Sequence, residues 1–436
     1  MKTKNMNTKE LYNEFKGLDF FKDPLPKKIS LAAMILSAVA ILLSSIHFWP
    51  FVDSKKWQML CLPNLAVFIW ITILVSYVIY KKGRWKHTCL LPHISVFAYL
   101  ILNILSIAFA NDTDRAFSFT AKLTLMLIGG YTLFSAAISG KITLRLINIF
   151  ACTAVAITIF YCFIDRIILG NNTFGFFVNP FKYGTYIGIF VPLAVSYLFF
   201  RNQSIGWLFA SILMILAMLT CGTLGGIAAI ISGIIVLSII IREWLPRTIL
   251  LLNLVIGIGL IIIFSANFPT NHLVNEIKLF EADNINLKQR YLEWQAEINL
   301  LEERTIPGSA AGSINDYRSS YYYRLPKLNT IEAFDQNGWL TTGAEIGFLG
   351  FVCFCWIIVH YFKLSYKQLI LTKNTGHLLA YKYASISFVS LVSAFVANTF
   401  SSIHYNGVLI SFVLILVLVS KNNIFDKGLY EQQTKI

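Results

Sequence analysis

Apolar runs long enough to cross about 30 Å of hydrocarbon recur along this 436-residue chain, and they set its class before any motif is read. Twelve are legible: 29–48, 59–80, 89–109, 117–138, 145–165, 181–200, 204–220, 223–241, 248–267, 339–361, 383–400 and 406–420. The seventh and eighth sit close together, which leaves a range of eleven to thirteen. The composition agrees: 56% of residues are hydrophobic and only 13% charged, where soluble chains carry about a quarter. The expected fold is an all-α integral membrane protein of about twelve transmembrane helices. It divides into a Lys-rich tail (1–28), spans one to nine (29–267), a long loop (268–338), spans ten to twelve (339–420) and a second tail (421–436).

Orientation follows from where Lys and Arg fall. The first tail carries Lys2, Lys4, Lys9, Lys16, Lys22, Lys27 and Lys28. Alternate connections continue the bias through "KKGRWKH" (81–87), "GKITLR" (140–145), Arg201, Arg242 and Arg247, then Lys363, Lys367, Lys373 and Lys382. Lys421, Lys427 and Lys435 close it. Both termini are therefore expected in the cytoplasm. The net charge of +14 is then a topology signal plus attraction to membrane lipids, and it does not point to nucleic acid. The first apolar run begins only near Ile29, too late for a cleavable signal peptide. Leu11, Phe15 and Leu18 suggest a short helix on the inner leaflet. The seven cysteines lie in or beside the apolar runs, so they read as packing residues and imply no disulfide framework.

The 268–338 loop is the only long non-apolar stretch, and loops of that length are usually functional. Within "NLKQRYLEWQAEINLLEER" (286–304), Leu287, Tyr291, Trp294, Ile298 and Leu301 recur in steps of four and three. That spacing predicts an amphipathic helix with Arg290, Glu293 and Glu297 on its other faces. "IPGSAAGS" (306–313) breaks it, and "DYRSSYYYRLPK" (316–327) packs Arg318, Arg324 and Lys327 among four tyrosines. "FDQNGWLTTGAEIGFLG" (334–350) then carries a polar run, Asp335-Gln336-Asn337, directly into an apolar helix with a lone acid, Glu345.

Arg290 with Trp294 four later, a Pro-Gly turn, a polar pair ending in Asn337, then Leu340, Glu345, Gly347 and Gly350 resemble the signature region of the O-antigen ligase/polymerase superfamily. "GFFVNPFKYGTYIGIFVPLA" (175–194) is similar to that family's Asn-containing start of a middle span, and "CGTLGGIAA" (221–229) falls where members often carry Thr-x-Ser-Arg. The resemblance covers roughly 175–360. It implies a GT-C-like enzyme of the bacterial inner membrane, with its active site under a large periplasmic loop. It also implies direct, inverting transfer of a glycan from undecaprenyl diphosphate to an acceptor, without metal, nucleotide or other cofactor. Two positions depart from the family pattern: Gln336 stands where His is usual, and Gly226 where Arg is usual. An amide is no base near neutral pH. Either this branch needs no strong base, or another group supplies it, or the chain is inactive.

A leaving diphosphate needs its growing charge stabilised, and guanidinium groups do so bidentately. Arg290 is the first candidate, its plainer role being an exposed ion pair with Glu293 or Glu297. Arg318 and Arg324 are candidates for phosphate or sugar acids, and equally a solvated loop face. Lys182 and Lys122 suit phosphate contact or interfacial anchoring. Glu345, some seven residues into its span, reads as a base, an orienter or a structural hydrogen-bonding group. Asn337 suits substrate hydroxyls or a helix cap, and Asp335 is a replacement base or a helix N-terminal acid. His404 in "SSIHYNG" (401–407) either turns to the site or stays at the interface, and "DTD" (112–114) reads as a surface turn. Ligation of O-antigen to lipid A–core is the first reading of function. Polymerisation onto a glycan acceptor, then transfer to protein hydroxyls, then secondary transport are the alternatives. A transporter would show paired halves with broken helices, which are not apparent.

Overall fold

The structure, a computed structural model, describes residues 27–43, 62–80, 92–138, 141–168, 180–200, 204–221, 223–241, 243–267, 285–306, 308–314, 337–375, 378–400, 409 and 411–420. Regular structure among these residues is entirely helical. In chain order the helices are α1 (Lys27–Leu43), α2 (Leu62–Tyr80), α3 (Ile94–Ser106), α4 (Thr113–Ala137), α5 (Lys141–Phe163), α6 (Pro180–Phe200) and α7 (Ser204–Thr220). There follow α8 (Leu224–Ile240), α9 (Trp244–Asn267), α10 (Ile285–Glu303), α11 (Gly338–Thr375), α12 (Leu378–Phe400) and α13 (Ser411–Ser420). Each expected apolar run overlaps one of them. By length and apolarity, six are sufficient to cross a membrane among the described residues: those at 113–137, 144–163, 182–200, 244–263, 338–374 and 380–400. Six further apolar helices are shorter. Large apolar side chains such as Phe68, Phe117, Ile239 and Val255 face outward, as lipid-facing helices require.

α6 is the central helix and α9 a peripheral one: 89% of the apolar window of the first is buried against 28% of the second. Close approach of backbones makes this centre. Gly184 lies against Thr223, Gly188 against Ala229, and Gly233 against Pro192 and Ser393, which locks α6, α8 and α12 together. Small residues serve membrane helices in this way because lipid offers no hydrophobic drive and association depends on packing. Many hydroxyls inside the bundle return to their own helix backbone. In α12, Ser385, Ser387, Ser390 and Ser393 each donate to the carbonyl four residues earlier, at 2.7–3.0 Å.

Helix ends receive side-chain partners. The Lys382 ammonium donates to the Phe200 carbonyl at 2.7 Å, the Tyr381 hydroxyl to Ile240 at 3.0 Å, and the Arg247 guanidinium to Ile241 at 2.7 and 3.2 Å. Those carbonyls have no intrahelical donor, and cations suit a helix C-terminus.

α11 is not one straight helix. Gly347 has φ 78° and ψ 178°, so two helices meet there at a break. That break organises the candidate site.

Candidate functional site

Breaking a helix frees backbone groups, and within a bundle they must be satisfied by something other than water. Here the partner is the segment that follows α10. The Phe348 N–H, just past the break, donates to the Thr305 carbonyl at 2.7 Å, and the Ser309 N–H donates to Ala344 at 2.9 Å. The approach is close enough that a Cβ at Gly308 would meet the Glu345 carbonyl, and one at Gly347 would meet Ile306. Gly308 (φ 64°), Ala310 (φ 73°) and Gly312 (φ 75°) give the segment its turns. Residues 308–311, 313 and 314 are buried. Gly312 packs on Phe119 of α4, and the Ala311 N–H reaches the Ser106 hydroxyl at the end of α3 at 3.4 Å.

Glu345 sits in the last turn before the break, 4% exposed. The Tyr99 side chain interacts with the Asn103 and Thr342 side chains and lies near the Glu345 carboxyl group. Asn103 donates to the Tyr99 carbonyl at 2.8 Å, and Ser106 donates to Asn103 at 2.8 Å. α3, α11 and the 304–314 segment thus enclose a polar cluster about one buried acid. Among the described residues, Asn103 Oδ1, Thr120 Oγ1, Ser309 Oγ and Ser313 Oγ are buried without a hydrogen-bond partner. Two of these are on the segment itself, one is on α3 and one on α4; similar atoms occur elsewhere in the bundle, as at Ser37, Asn148 and Ser365.

α10 packs along the first turns of α11, but not by the expected stripe. Ala296, Leu300, Ile314 and Ala344 form the shared apolar contact. Trp294 and Leu301 are half-buried, Ile298 is 42% exposed, and the side chains of Leu287 and Tyr291 lie outside the described residues. Glu297, expected on a polar face, is instead 2% exposed and accepts a hydrogen bond from the Thr341 hydroxyl at 3.1 Å. Glu297 belongs to the site by its position, and the sequence reading used it only as an ion-pair partner. The signal was available: Ala296 and Leu300 are four apart and share a face with Glu297's neighbours. Tyr99 and Asn103 were also passed over, although a lone Asn in "YLILNILS" is a polar group inside an apolar run.

The other candidates divide. Asn337 is the N-cap of α11: its Oδ1 accepts from the Trp339 and Leu340 N–H groups at 3.0 and 3.3 Å. Arg290 lies on α10, with its side chain outside the described residues. Lys122 is half-buried one turn along α4 from Phe119, Lys182 is half-buried in the first turn of α6, and neither is without a partner. Asp335, Gln336, Arg318, Arg324 and His404 lie outside the described residues. Asp112 caps α4 by accepting from the Arg115 N–H at 3.0 Å, so the "DTD" turn has a structural use. No group of His, Cys, Asp and Glu among the described residues has the arrangement of a metal site.

Gly226 explains its own departure from the family pattern. Thr223 caps α8 by accepting the Gly226 N–H at 3.3 Å, and a Cβ at 226 would meet Gly184 and Cys221. The space an arginine would need is filled by the backbone of α6.

The fold and this junction define an all-helical membrane protein with a braced, broken helix at one end. Residues 209–355, about a third of the chain, match a family model described as O-Antigen ligase. The match runs from α7 into α11 and contains the α10–α11 junction, which supports the O-antigen ligase/polymerase superfamily as the family of this chain. The resemblance read at 175–194 lies outside the matched residues. No curated protein matches the sequence. The family supports glycosyl transfer of the ligase/polymerase kind, with a lipid-linked glycan and a glycan acceptor as the general substrates.

Proposed function

We propose that this protein transfers a glycan from undecaprenyl diphosphate to an acceptor hydroxyl at the periplasmic face of the bacterial inner membrane, and that the reaction is ligation of O-antigen to lipid A–core. The reading includes twelve spans, cytoplasmic termini and a periplasmic 268–338 loop. The observation that carries it is the junction of α10 with the broken α11. A segment inside the family match seals a helix break directly over the buried Glu345.

The chemistry forms a bond from the acceptor oxygen to the anomeric carbon and breaks the bond from that carbon to the diphosphate. Arg290 is assigned the departing charge, with Arg318, Arg324, Lys122 and Lys182 as further cations for the lipid diphosphate. Glu345 is enclosed, so its proposed role is to orient: with Tyr99, Asn103 and Thr342 it holds sugar or acceptor hydroxyls at the mouth of α11. Asp335, beside Gln336, is the proposed proton acceptor, and His404 an auxiliary one. Asn337 acts as a cap that keeps the mouth in place.

The test is transfer by the purified, reconstituted protein given undecaprenyl-diphosphate-linked repeat units with and without lipid A–core. Arg290→Ala is expected to lower core-linked product by about 10²–10³-fold, the scale for removing one group that stabilises transition-state charge. Longer lipid-linked chains formed in the absence of core would replace ligation by polymerisation. Undiminished transfer in Arg290→Ala would remove that residue from the mechanism.

A further inference from the structure

Beyond its break, α11 carries a lipid-facing side to the far boundary of the membrane, and that side changes character on the way. Val352, Trp356 and Val359 are 45–47% exposed, and their spacings of four and three keep them on one stripe. The stripe goes on through His360, Lys363 and Lys367. Lys363 is the first charged residue after Glu345, so the hydrocarbon ends at about this level.

A second helix meets the stripe there. His93, the N-cap of α3, stacks on His360 with ring centroids 3.5 Å apart and planes 13° from parallel, and Trp356 stands edge-on to His93 at 5.7 Å. Both imidazoles are half-buried, and both lysines are exposed. The cap fixes the proton on His93. Its Nδ1 accepts the Ser95 N–H at 3.3 Å and lies 2.8 Å from the Ser95 hydroxyl, so the ring N–H is at Nε2. That N–H is a donor the cap does not use. The partial positive charge at the start of α3 adds to the charge of the two lysines. The order along this face suits one kind of molecule. An apolar bed comes first, then an aromatic ring at the boundary, then imidazole and ammonium donors within about 10 Å along the axis.

We propose that this face binds an anionic phospholipid, its phosphate held by His93, His360, Lys363 and Lys367 and one acyl chain laid along Trp356, Val359 and Val352. The proposal is independent of the transfer reaction, since none of these residues is assigned to it. A zwitterionic lipid brings its own cation, which the lysines repel, whereas phosphatidylglycerol offers net negative charge. Free phosphate lacks the chain that the apolar bed would hold. Each lysine close to an anionic lipid surface contributes about fivefold to binding. The bound lipid bridges α3 and α11 at the level where α11 leaves the bilayer.

The experiment is native mass spectrometry of the full chain in detergent, titrated with phosphatidylglycerol, phosphatidylcholine or inorganic phosphate and read as the first binding event. Phosphatidylglycerol is expected to bind about tenfold more tightly than phosphatidylcholine, and inorganic phosphate is expected not to be retained. The Lys363→Gln/Lys367→Gln pair is expected to weaken phosphatidylglycerol binding about tenfold or more. His360→Phe keeps a stacked ring without its nitrogens and is expected to weaken it about threefold or more. Lys373→Gln is the control: it is equally exposed on α11 but lies about 80° round the helix from Lys363, so binding is expected within about twofold of the parent. Because the two lysines are exposed, a loss in that pair reports the site and not unfolding. Equal affinity for the two lipids, parent-like binding by the lysine pair, or an equal loss in Lys373→Gln would each overturn the proposal. Inorganic phosphate retained as tightly as phosphatidylglycerol would overturn it in favour of a free anion.

Discussion

Gly347→Ala puts a methyl group where the backbone of the 304–314 segment now runs. With φ 78° and ψ 178°, Gly347 occupies a region that residues bearing a Cβ enter only with about 1–3 kcal/mol of strain. The added Cβ would also collide with the Ile306 carbonyl and lie 2.8 Å from the Thr305 oxygen. Both are backbone atoms, so no side chain can rotate to make room. Relief requires the segment to withdraw, which breaks the Phe348–Thr305 and Ser309–Ala344 hydrogen bonds. Each such bond, once broken with its groups still buried, costs about 1–3 kcal/mol. With the backbone strain, the two bonds give an expected destabilisation of about 3–9 kcal/mol. The assay is unfolding by SDS titration in mixed micelles, followed by far-UV circular dichroism. Gly259→Ala is the matched control: nothing lies within 4 Å of its Cβ, and in a helix the change should be neutral or favourable by about 0.5–1 kcal/mol. If Gly347→Ala unfolded alongside Gly259→Ala, the braced break would be the wrong description of α11.

Gly226→Arg, which would reinstate the family's usual residue, is expected to abolish the monodisperse peak in size-exclusion chromatography, because the Gly184 backbone occupies that space. A well-folded Gly226→Arg protein would refute the packing described for α6 and α8. Asn337→Ala removes the acceptor for two N–H groups of α11 and should lower stability in the same SDS titration by about 1 kcal/mol, with Asn337→Asp restoring it. A parent-like midpoint for Asn337→Ala would mean that the cap contributes nothing.

The helices were legible because apolar length is a strong signal, and α6, α7 and α8 begin and end within a residue or two of the runs that announced them. The break in α11 was not. "EIGFLGF" continues an apolar run on both sides, and glycine inside a membrane helix more often marks close packing than a change of direction. Only the carbonyls of Thr305 and Ile306, brought up from about forty residues earlier in the chain, show why Gly347 must have no side chain. The face of α10 was misjudged for a related reason. Its pattern was scored by large apolar residues, whereas a close contact with another helix prefers Ala296 and admits Glu297 once Thr341 is opposite. At Gly226 the sequence registered a missing arginine, and the packing of α6 gives that absence a cause.

The break also bears on how the chain is made. The apolar stretch beyond it, 348–362, rises only about 22 Å before Lys363, short of about 30 Å of hydrocarbon. The 338–346 stub, about 13 Å long, is therefore needed to complete the crossing. The backbone groups freed at the join find their partners in Thr305 and Ser309, which are synthesised earlier and on the proposed topology are already outside when the stub emerges. Completion of this span is thus a docking step that follows synthesis, and slow or failed docking would leave a crossing too short for the bilayer.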